Sequence, residues 1–260
     1  MKIVGIGGNI MPEVAAIVQA RMGSSRLSGK VATVIEGKSM LAHLIERLKD
    51  ARLLDQLIIA TSTKQIDDPV ASIAAEEGVI CYRGSERNVF SRYLEAGEQY
   101  DVDVIVRITG DCPLIDPVTV DGLVSNYLDS DYDYMRLNVG ENGYPRGLDA
   151  EIFSYQTLLK VNKMLKNESK ASLEQYREHV TLYIYKHPDS FSVASYNPPE
   201  NLQRNYRLCV DESADLQLIT EIYERLYKKE EIIDIKKVIE LLDNNPDLAG
   251  INSDVMQKKV

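Results

Sequence analysis

Short apolar runs alternate with helical patterns over the first half of the chain. Four of these runs are typical of buried strands: Val14 to Val18, Leu57 to Ala60, Val79 to Tyr82 and Val102 to Ile108. Ser39, Asn88 and Asp116 each precede a helical pattern and are suitable N-cap residues. Because parallel strands are joined by long crossovers that are usually helical, this alternation predicts a mainly parallel sheet in an α/β domain.

The second half of the chain follows a less regular pattern. Residues 131–153 carry Tyr, Asn and Gly, and they predict a hairpin or a bulged strand pair that closes one side of a pocket. Further on we expect a helix from Leu173 to Ile184, a strand from Tyr206 to Val210 and a polar, mobile tail from Asn244. The predicted boundaries are an N-terminal extension over residues 1–12, one domain over residues 13–243 and the tail over residues 244–260.

Composition argues against several classes of function. The 260 residues are 44% hydrophobic, which is enough for a core, and a net charge of −10 with a pI near 4.9 argues against nucleic-acid binding. No apolar run approaches the length of a membrane span, and the N-terminus lacks a secretory leader pattern. We therefore expect a cytoplasmic protein with neither a nucleic-acid nor a membrane partner.

A cationic loop follows the first predicted strand. Between Glu13 and Glu36 the chain has no acidic residue, and it carries Arg21, Arg26 and Lys30 among glycines and serines. In an acidic chain this local reversal of charge favours an anion such as a nucleoside triphosphate. The spacing matches neither the P-loop nor the dinucleotide-binding glycine pattern, and a solvated connection is the alternative interpretation.

Polar residues follow three predicted strands at their carboxyl ends, which is where parallel sheets bind ligands. They are residues 21–30, residues 61–63 and residues 109–113. Asp116 and Pro117 already supply the cap and first turn of the next helix, so Asp111 is not needed for that purpose. The Asp111 carboxylate is a candidate Mg²⁺ ligand, and an Asx-turn is the alternative.

Two residues of the second half are open to two interpretations. The guanidinium fork of Arg146 matches a substrate carboxylate, although a lone arginine is more often a surface charge. By spacing alone, Asp211 is a cap for the helix that begins near Ser213.

Five segments occur in order between about Val14 and Leu242: QARMGSSRLSGK, TGDCPLIDP, YPRGLDAEIF, REHVT and RLCVDESADL. They resemble motifs of the cytidylyltransferases that make CMP-activated sugars, the group that contains the CMP-Kdo and CMP-sialic acid synthetases. The closest match is to the branch typified by spore coat polysaccharide biosynthesis protein F, whose loop has proline where this chain has Ser28. Proline would fix a backbone angle there, but Ser28 removes no phosphate-binding group.

The resemblance implies a single nucleotidyltransferase-type, Rossmann-like domain with an inserted β-hairpin and helical region on the sugar side. It implies transfer of CMP from CTP to a sugar, in our interpretation an acidic nonulosonate-type sugar, with release of pyrophosphate for surface polysaccharide or glycan biosynthesis. It also implies Mg²⁺ held by Asp111 and Asp211, with Lys30 and Arg21 completing the catalytic set. Relatives are often dimers, so a homodimer is expected.

The predicted binding residues form two groups, one for the nucleotide and one for the sugar. The nucleotide group is Ala20, Arg21, Met22, Gly23, Ser25, Arg26, Lys30, Thr61, Ser62, Arg83, Thr109, Gly110 and Asp111. The sugar group is Tyr144, Arg146, Asp149, Glu151 and His179. Two rival functions stay open at this point: a glycosyltransferase that uses a nucleotide-sugar, and a non-catalytic nucleotide-binding relative.

Overall fold

The computed structural model of the protein describes residues 11–24 and 26–257, so residues 1–10 of the predicted extension lie outside it. The strands are β1 (Val14–Gln19), β2 (Val34–Ile35), β3 (Lys38–Ser39), β4 (Gln56–Ser62), β5 (Ile80–Gly84), β6 (Val104–Thr109), β7 (Tyr134–Leu137), β8 (Glu151–Ser154) and β9 (Val193–Tyr196). The helices are α1 (Met40–Lys49), α2 (Asp68–Glu76), α3 (Val89–Gln99), α4 (Pro117–Leu128), α5 (Tyr155–Leu165), α6 (Lys170–Glu178), α7 (Leu182–Lys186), α8 (Ser213–Leu226), α9 (Ile235–Asp243) and α10 (Pro246–Ala249).

Seven strands form the main sheet, in the order β5-β4-β1-β6-β8-β7-β9, within the described part of the chain. The strands β5, β4, β1 and β6 are parallel, and β8 runs antiparallel to both β6 and β7. Gln19 at the end of β1 pairs with Ala60 of β4 and Thr109 of β6, so these carboxyl ends meet at one edge. The prediction of a mainly parallel sheet is confirmed, and so is the strand pair between residues 131 and 153.

Apolar side chains cover both faces of this sheet. In β1, Val14, Ala16 and Val18 belong to one core cluster, whereas Ala15 and Ile17 belong to the other. Helices α1, α4, α8 and α9 pack on the first face, and α3, α5 and α7 pack on the second. This three-layer arrangement explains why the parallel strands are apolar throughout their length.

The helix starts follow the local sequence. The side chain of Ser39 accepts a hydrogen bond from the Ala42 amide at the start of α1, and Asn88 caps α3 in the same way. Asp116 accepts from the amide of Thr119 at the start of α4. The three predicted N-caps are therefore confirmed.

The helix predicted from Leu173 to Ile184 is interrupted at His179. α6 ends at Glu178, α7 begins at Leu182, and the backbone of His179 is extended, with φ −109° and ψ 90°. Val180 is buried, and the hydroxyl of Thr181 donates a hydrogen bond to Glu151 at 3.0 Å. These tertiary contacts override the helical pattern of the sequence.

The C-terminal segment also differs from its prediction. A mobile tail was expected from Asn244, and this was wrong, because α10 forms and Leu248 and Ile251 pack against the core. The strand predicted at Tyr206 to Val210 is replaced by one isolated bridge between Arg207 and Arg146. Pairing stops there because the next residue, Gly147, has φ +100° and turns the chain away.

No helix of the described residues is long and apolar enough to span a bilayer.

Candidate active site

Lys30 lies between two carboxylates that are far apart in the sequence. Its Nζ atom is 2.9 Å from Oδ2 of Asp111 and 2.9 Å from Oδ1 of Asp211, and it donates a third hydrogen bond to the Val210 carbonyl at 2.6 Å. The side chain of Lys30 is only 9% exposed. The structure thus brings together the three residues that the sequence analysis placed at the centre of the site.

Local backbone features explain this convergence. Gly29 has φ +73°, a conformation that side chains disfavour, and it turns the chain so that Lys30 begins a short 3₁₀ helix. The amide of Gly29 donates to the Met22 carbonyl at 2.8 Å, which closes the loop. The Asp111 carbonyl accepts a hydrogen bond from the Val210 amide at 2.8 Å, so the two acidic segments are tied to each other.

Asp211 is surrounded by cations. Besides Lys30, Arg26 and Arg207 lie at 2.8 and 2.7 Å from its Oδ2 atom. Asp215 fixes the backbone at Asp211, because one oxygen of the buried Asp215 carboxylate accepts hydrogen bonds from the Asp211 and Glu212 amides. The orientation of Asp211 is therefore fixed by Asp215, and its negative charge is balanced by the neighbouring cations.

The charges in this cluster stabilise one another. Burial by itself raises the pKa of Asp211, but Lys30, Arg26 and Arg207 hold that pKa below its ordinary value. Burial lowers the pKa of Lys30, yet Asp111 and Asp211 raise it above its ordinary value. Lys30 and Asp211 are consequently both ionised near neutral pH.

A cavity of about 220 Å³ lies beside the cationic loop. Seven residues of the predicted nucleotide group line it: Ala20, Arg21, Arg26, Lys30, Thr109, Gly110 and Asp111. Met22 acts through its backbone, since its amide donates to Asp67 at 2.7 Å and its carbonyl accepts from Ser24 and Gly29. Gly23 follows it in the same turn, and Ser25 lies outside the described residues.

Three further residues of the predicted nucleotide group, Thr61, Ser62 and Arg83, have a different role. Thr61 and Ser62 are fully buried, and the Ser62 hydroxyl donates to the Asp67 carboxylate that holds the loop. Arg83 is occupied by the carbonyls of Ser62 and Lys64, each at 2.9 Å. None of the three lines the cavity beside the loop. They build its scaffold, so the predicted contact with the nucleotide is corrected.

A second cavity, of about 540 Å³, opens on the other side of Asp111. The two cavities share Arg26, Thr109 and Asp111, so the carboxylate cluster lies where they meet. The larger one is lined by Arg146, Asp149 and Glu151 of the predicted sugar group.

Two other residues of the sugar group lie elsewhere. Tyr144 is only 2% exposed and does not line the larger cavity; its ring packs near that of Tyr196, at 6.4 Å between centroids. Its contact with the sugar therefore stays a prediction. His179, at the break between α6 and α7, lines a separate cavity of about 130 Å³ next to Ala20 and Arg21.

The larger cavity also contains arginines that the sequence analysis missed. Arg107 of β6 pairs directly with Glu151 of β8, which pairs in turn with Arg136 of β7, so the three form one row across the sheet. Arg107 is salt-bridged to Glu151, whose carboxylate also accepts from Tyr134 and Thr181. Glu151 is thus an anchor for Arg107. The available signal was a single charge inside the apolar run from Val104 to Thr109.

Arg92 is the second omission. It lies on α3, is 2% exposed, and lines the 130 Å³ cavity together with Gln19 and His179. Among the described residues, its Nε and one terminal nitrogen have no hydrogen-bond partner. Buried polar atoms are normally paired, so these two donors indicate a place for a ligand acceptor. In the sequence Arg92 looks like an exposed position of an amphipathic helix.

The residues present fit a divalent cation. The Lys30 ammonium group stands in for such a cation, because it already contacts both carboxylates. In residues 11–24 and 26–257 no cluster of three or more His, Cys, Asp or Glu is placed to hold a metal. Mg²⁺ is often bound by one or two carboxylates together with substrate phosphates, and Asp111 and Asp211 provide this donor set.

Several known proteins are similar to this chain in sequence and in fold. The cytidylyltransferase family model matches residues 15–245. Spore coat polysaccharide biosynthesis protein SpsF of Bacillus subtilis is 34% identical over 92% of this chain and 98% of its own length. The 3-deoxy-manno-octulosonate cytidylyltransferase of Pelobacter propionicus is 31% identical over 66% of this chain and 74% of its own length. The solved structure of a cytidylyltransferase from Leptospira borgpetersenii has a TM-score of 0.83 at 31% identity, covering 95% of this chain and 100% of that one.

The chain belongs to the cytidylyltransferase family. It is an enzyme with the nucleotidyltransferase fold. Its membership of this family supports CTP as the nucleotide substrate.

Proposed function

We propose that the enzyme transfers CMP from CTP to an acidic sugar and releases pyrophosphate. The observation that carries this proposal is the position of Lys30, Asp111 and Asp211 where two cavities meet. One cavity is formed by the cationic loop, and the other contains a row of arginines. A nucleotide on one side and an anionic acceptor on the other would therefore meet at the carboxylate cluster.

The cationic loop is suited to the triphosphate. Lys30, Arg21 and Arg26 line the 220 Å³ cavity and would neutralise its phosphates. Arg21 is exposed to solvent, whereas Lys30 and Arg26 are paired with Asp211. Phosphate binding must therefore compete with an internal ion pair for two of the three cations.

Arg92 supports recognition of the cytosine base. The 130 Å³ cavity shares Gln19, Ala20 and Arg21 with the cavity beside the loop, so a base there is within reach of the triphosphate site. Cytosine presents adjacent acceptors at O2 and N3, which match the guanidinium fork, whereas uracil carries a hydrogen on N3. We expect this pairing to favour CTP over UTP.

Three arginines of the larger cavity support an acidic acceptor. Arg107, Arg136 and Arg146 all line the 540 Å³ cavity, and the buried Nε of Arg107 has no hydrogen-bond partner in the part of the chain that the structure describes. Arginine binds carboxylates through two parallel hydrogen bonds. A nonulosonate-type sugar, with one carboxylate and many hydroxyls, fits this combination of charge and volume.

The proposed reaction is attack of a sugar hydroxyl on the α-phosphorus of CTP. The new bond joins the sugar oxygen to that phosphorus, the bond to the β-phosphate oxygen breaks, and the hydroxyl proton passes to water. Mg²⁺ on Asp111 and Asp211 would supply charge neutralisation at the α-phosphate when bound. Lys30, Arg21 and Arg26 would stabilise the departing pyrophosphate, and the arginine row would orient the sugar.

Pyrophosphate release from CTP over a panel of sugar acids tests the proposal. We expect release with at least one acidic sugar, no release with its neutral reduced analogue, and a lower rate with UTP. Release of a nucleotide from a nucleotide-sugar, with none of pyrophosphate from CTP, would instead support the glycosyltransferase alternative. Nucleotide binding with no turnover on any sugar would support a non-catalytic relative.

Homodimer formation is a prediction that follows from the sequence resemblance, and a cytoplasmic location is a separate prediction from the sequence pattern. Light scattering of the purified protein tests the first, because a dimer of a 29.3 kDa chain has twice that mass.

A further inference from the structure

Asp215, which supports the proposed metal ligand Asp211, is itself held by the C-terminal segment. Asp215 is completely buried, and a buried carboxylate is stable only when its oxygens are well paired. One of its oxygens accepts from the amides of Asp211 and Glu212. The other accepts from Nε of Arg207 at 2.9 Å and from Nδ2 of Asn252 at 2.8 Å.

Asn252 is well placed to fix this arrangement. It is 4% exposed, and its amide nitrogen also donates to the Arg207 carbonyl at 2.9 Å. Arg207 in turn donates to Asp211 at 2.7 Å. The side-chain amide of Asn252 therefore donates to Asp215 and to Arg207, and both of these residues contact Asp211 directly.

The segment from Pro246 to Gln257, here called the C-terminal strap, brings Asn252 to this place. Leu248 is buried in the core, and Ile251 packs against the same core cluster. Beyond Asn252 the strap reaches the 540 Å³ cavity, where Gln257 lines the wall and accepts a hydrogen bond from Arg207 at 2.5 Å. The family match ends at residue 245, so the strap lies outside the region that defines the family.

We propose that the C-terminal strap is part of the active site and that Asn252 is a positioning residue for the metal ligand Asp211, acting through Asp215 and Arg207. This inference rests on the proposed function, since it assumes that Asp211 binds the divalent ion. Partners one step removed from a metal ligand typically change metal affinity about 10- to 100-fold when removed. Asn252 lies one step further from the metal than Asp215 and Arg207, so we expect an effect at the lower end of this range.

The test measures metal-dependent CTP binding without turnover. Thermal unfolding of the full chain is followed with CTP over a range of Mn²⁺ concentrations, and the Mn²⁺ needed for half of the CTP-induced stabilisation is determined. Asn252→Ala is expected to need about 10-fold more Mn²⁺ than the wild type. Stabilisation by CTP in EDTA should not change, because the side chains of Asn252 and Gln257 bond to Arg207 and Asp215 and, among the described residues, not to the cationic loop. A purely structural role would lower the melting temperature without moving the Mn²⁺ midpoint.

Asn244→Ala is the matched control. Asn244 is an exposed asparagine at the C-terminal end of α9, and its side-chain amide donates to the Glu240 carbonyl at 2.8 Å. Its Mn²⁺ midpoint should equal that of the wild type. If Asn252→Ala does not fold, Asn252→Ser replaces it; serine keeps one donor, and an intermediate midpoint is expected.

The outcomes separate the two proposals. An unchanged Mn²⁺ midpoint in a folded Asn252 variant overturns the role of Asn252 and leaves the proposed function intact. Metal-dependent CTP binding with no pyrophosphate release on any sugar overturns the proposed function, while a shifted midpoint still supports the positioning role. Absence of Mn²⁺-dependent stabilisation in the wild type overturns both.

Discussion

The two cavities that meet at Asp111 differ in how the chain builds them. The nucleotide-side cavity is lined by two segments, residues 19–31 and residues 109–111, which follow neighbouring parallel strands. The acceptor-side cavity draws on β6, β7, β8, the Cys209 to Asp211 segment and the C-terminal strap. The nucleotide-side cavity therefore depends on local sequence and strand order, whereas the acceptor-side cavity depends on contacts between distant parts of the chain.

The cavities also differ in how their cations are paired. On the nucleotide side, Arg26 and Lys30 are bound to Asp211 in a dense cluster. On the acceptor side, Arg136 is exposed and Arg146 is 3.9 Å from its partner Asp149. For the proposed reaction we therefore expect phosphates to displace the internal partner of Lys30 and Arg26, whereas an acceptor carboxylate would meet Arg136 and Arg146 more freely.

Loss of the shared carboxylate should have the largest effect, since it serves both cavities. Asp211→Asn keeps the shape of the side chain but removes its charge, and we expect turnover to fall about 100- to 1,000-fold. Pyrophosphate release measures the rate, and circular dichroism checks the fold. Asp129→Asn, at an exposed aspartate directly after α4, should match the wild type. Unchanged turnover in folded Asp211→Asn would remove this residue from the catalytic set.

A change on the acceptor side should leave the nucleotide side unaffected. Arg136→Ala and Arg146→Ala each remove a cation that would bind the sugar carboxylate, and KM for the acidic sugar should rise about 10- to 100-fold. KM for CTP should stay within about twofold of the wild type. Arg225→Ala, at an exposed arginine of α8, is the control. An equal rise in both KM values would contradict the division between the two cavities.

A substitution at Arg92 tests the nucleotide side in the same way. Arg92→Lys keeps the charge but loses the planar fork, so the preference for CTP over UTP should fall about 10-fold. The ratio of kcat/KM for the two nucleotides measures it, and KM for the sugar should not move. Arg87→Lys, at an exposed position just before α3, serves as the control. A preserved preference in a folded variant would place the base elsewhere.

The smallest expected effect is on stability in acid. The pKa of Asp211 lies below its ordinary value of 3.8, so ionised Asp211 stabilises the folded state fully above pH 3.8. This contribution, about 1 kcal/mol for a partly exposed group, is lost as pH falls through the lower folded-state pKa. The unfolding free energies of the wild type and Asp211→Asn, measured by denaturant titration, should therefore converge below pH 3.8. A constant difference down to pH 2 would contradict the assignment.

Local sequence predicted the nucleotide side well. Apolar runs located β1, β4, β5 and β6, and the caps at Ser39, Asn88 and Asp116 follow from side chains that reach their own helix start. Lys30 and Asp111 could be selected because both follow strand ends. Thr61 and Ser62 follow a strand end too, but they point into the interior, which the alternation of side chains does not reveal at the last residues of a fully buried strand.

The acceptor side could be predicted only in part. Arg107 and Arg136 become neighbours through β8, and strand register across an antiparallel insertion is not encoded in either segment alone. Asp211 looked like a helix cap by spacing, and only the family resemblance assigned it to the site. His179 was placed with the sugar, although the break after α6 puts it beside Arg92.

The sequence by itself determined the positions of β1, β4, β5 and β6, three helix starts and the cationic loop, because each depends on residues that lie close together in the chain. The tertiary structure decided which charges share a site: Lys30 with Asp211, Arg107 with Arg136, and Asn252 with Asp215. These pairs are separated by tens to hundreds of residues, and their energies depend on burial and distance, which exist only after the chain has folded.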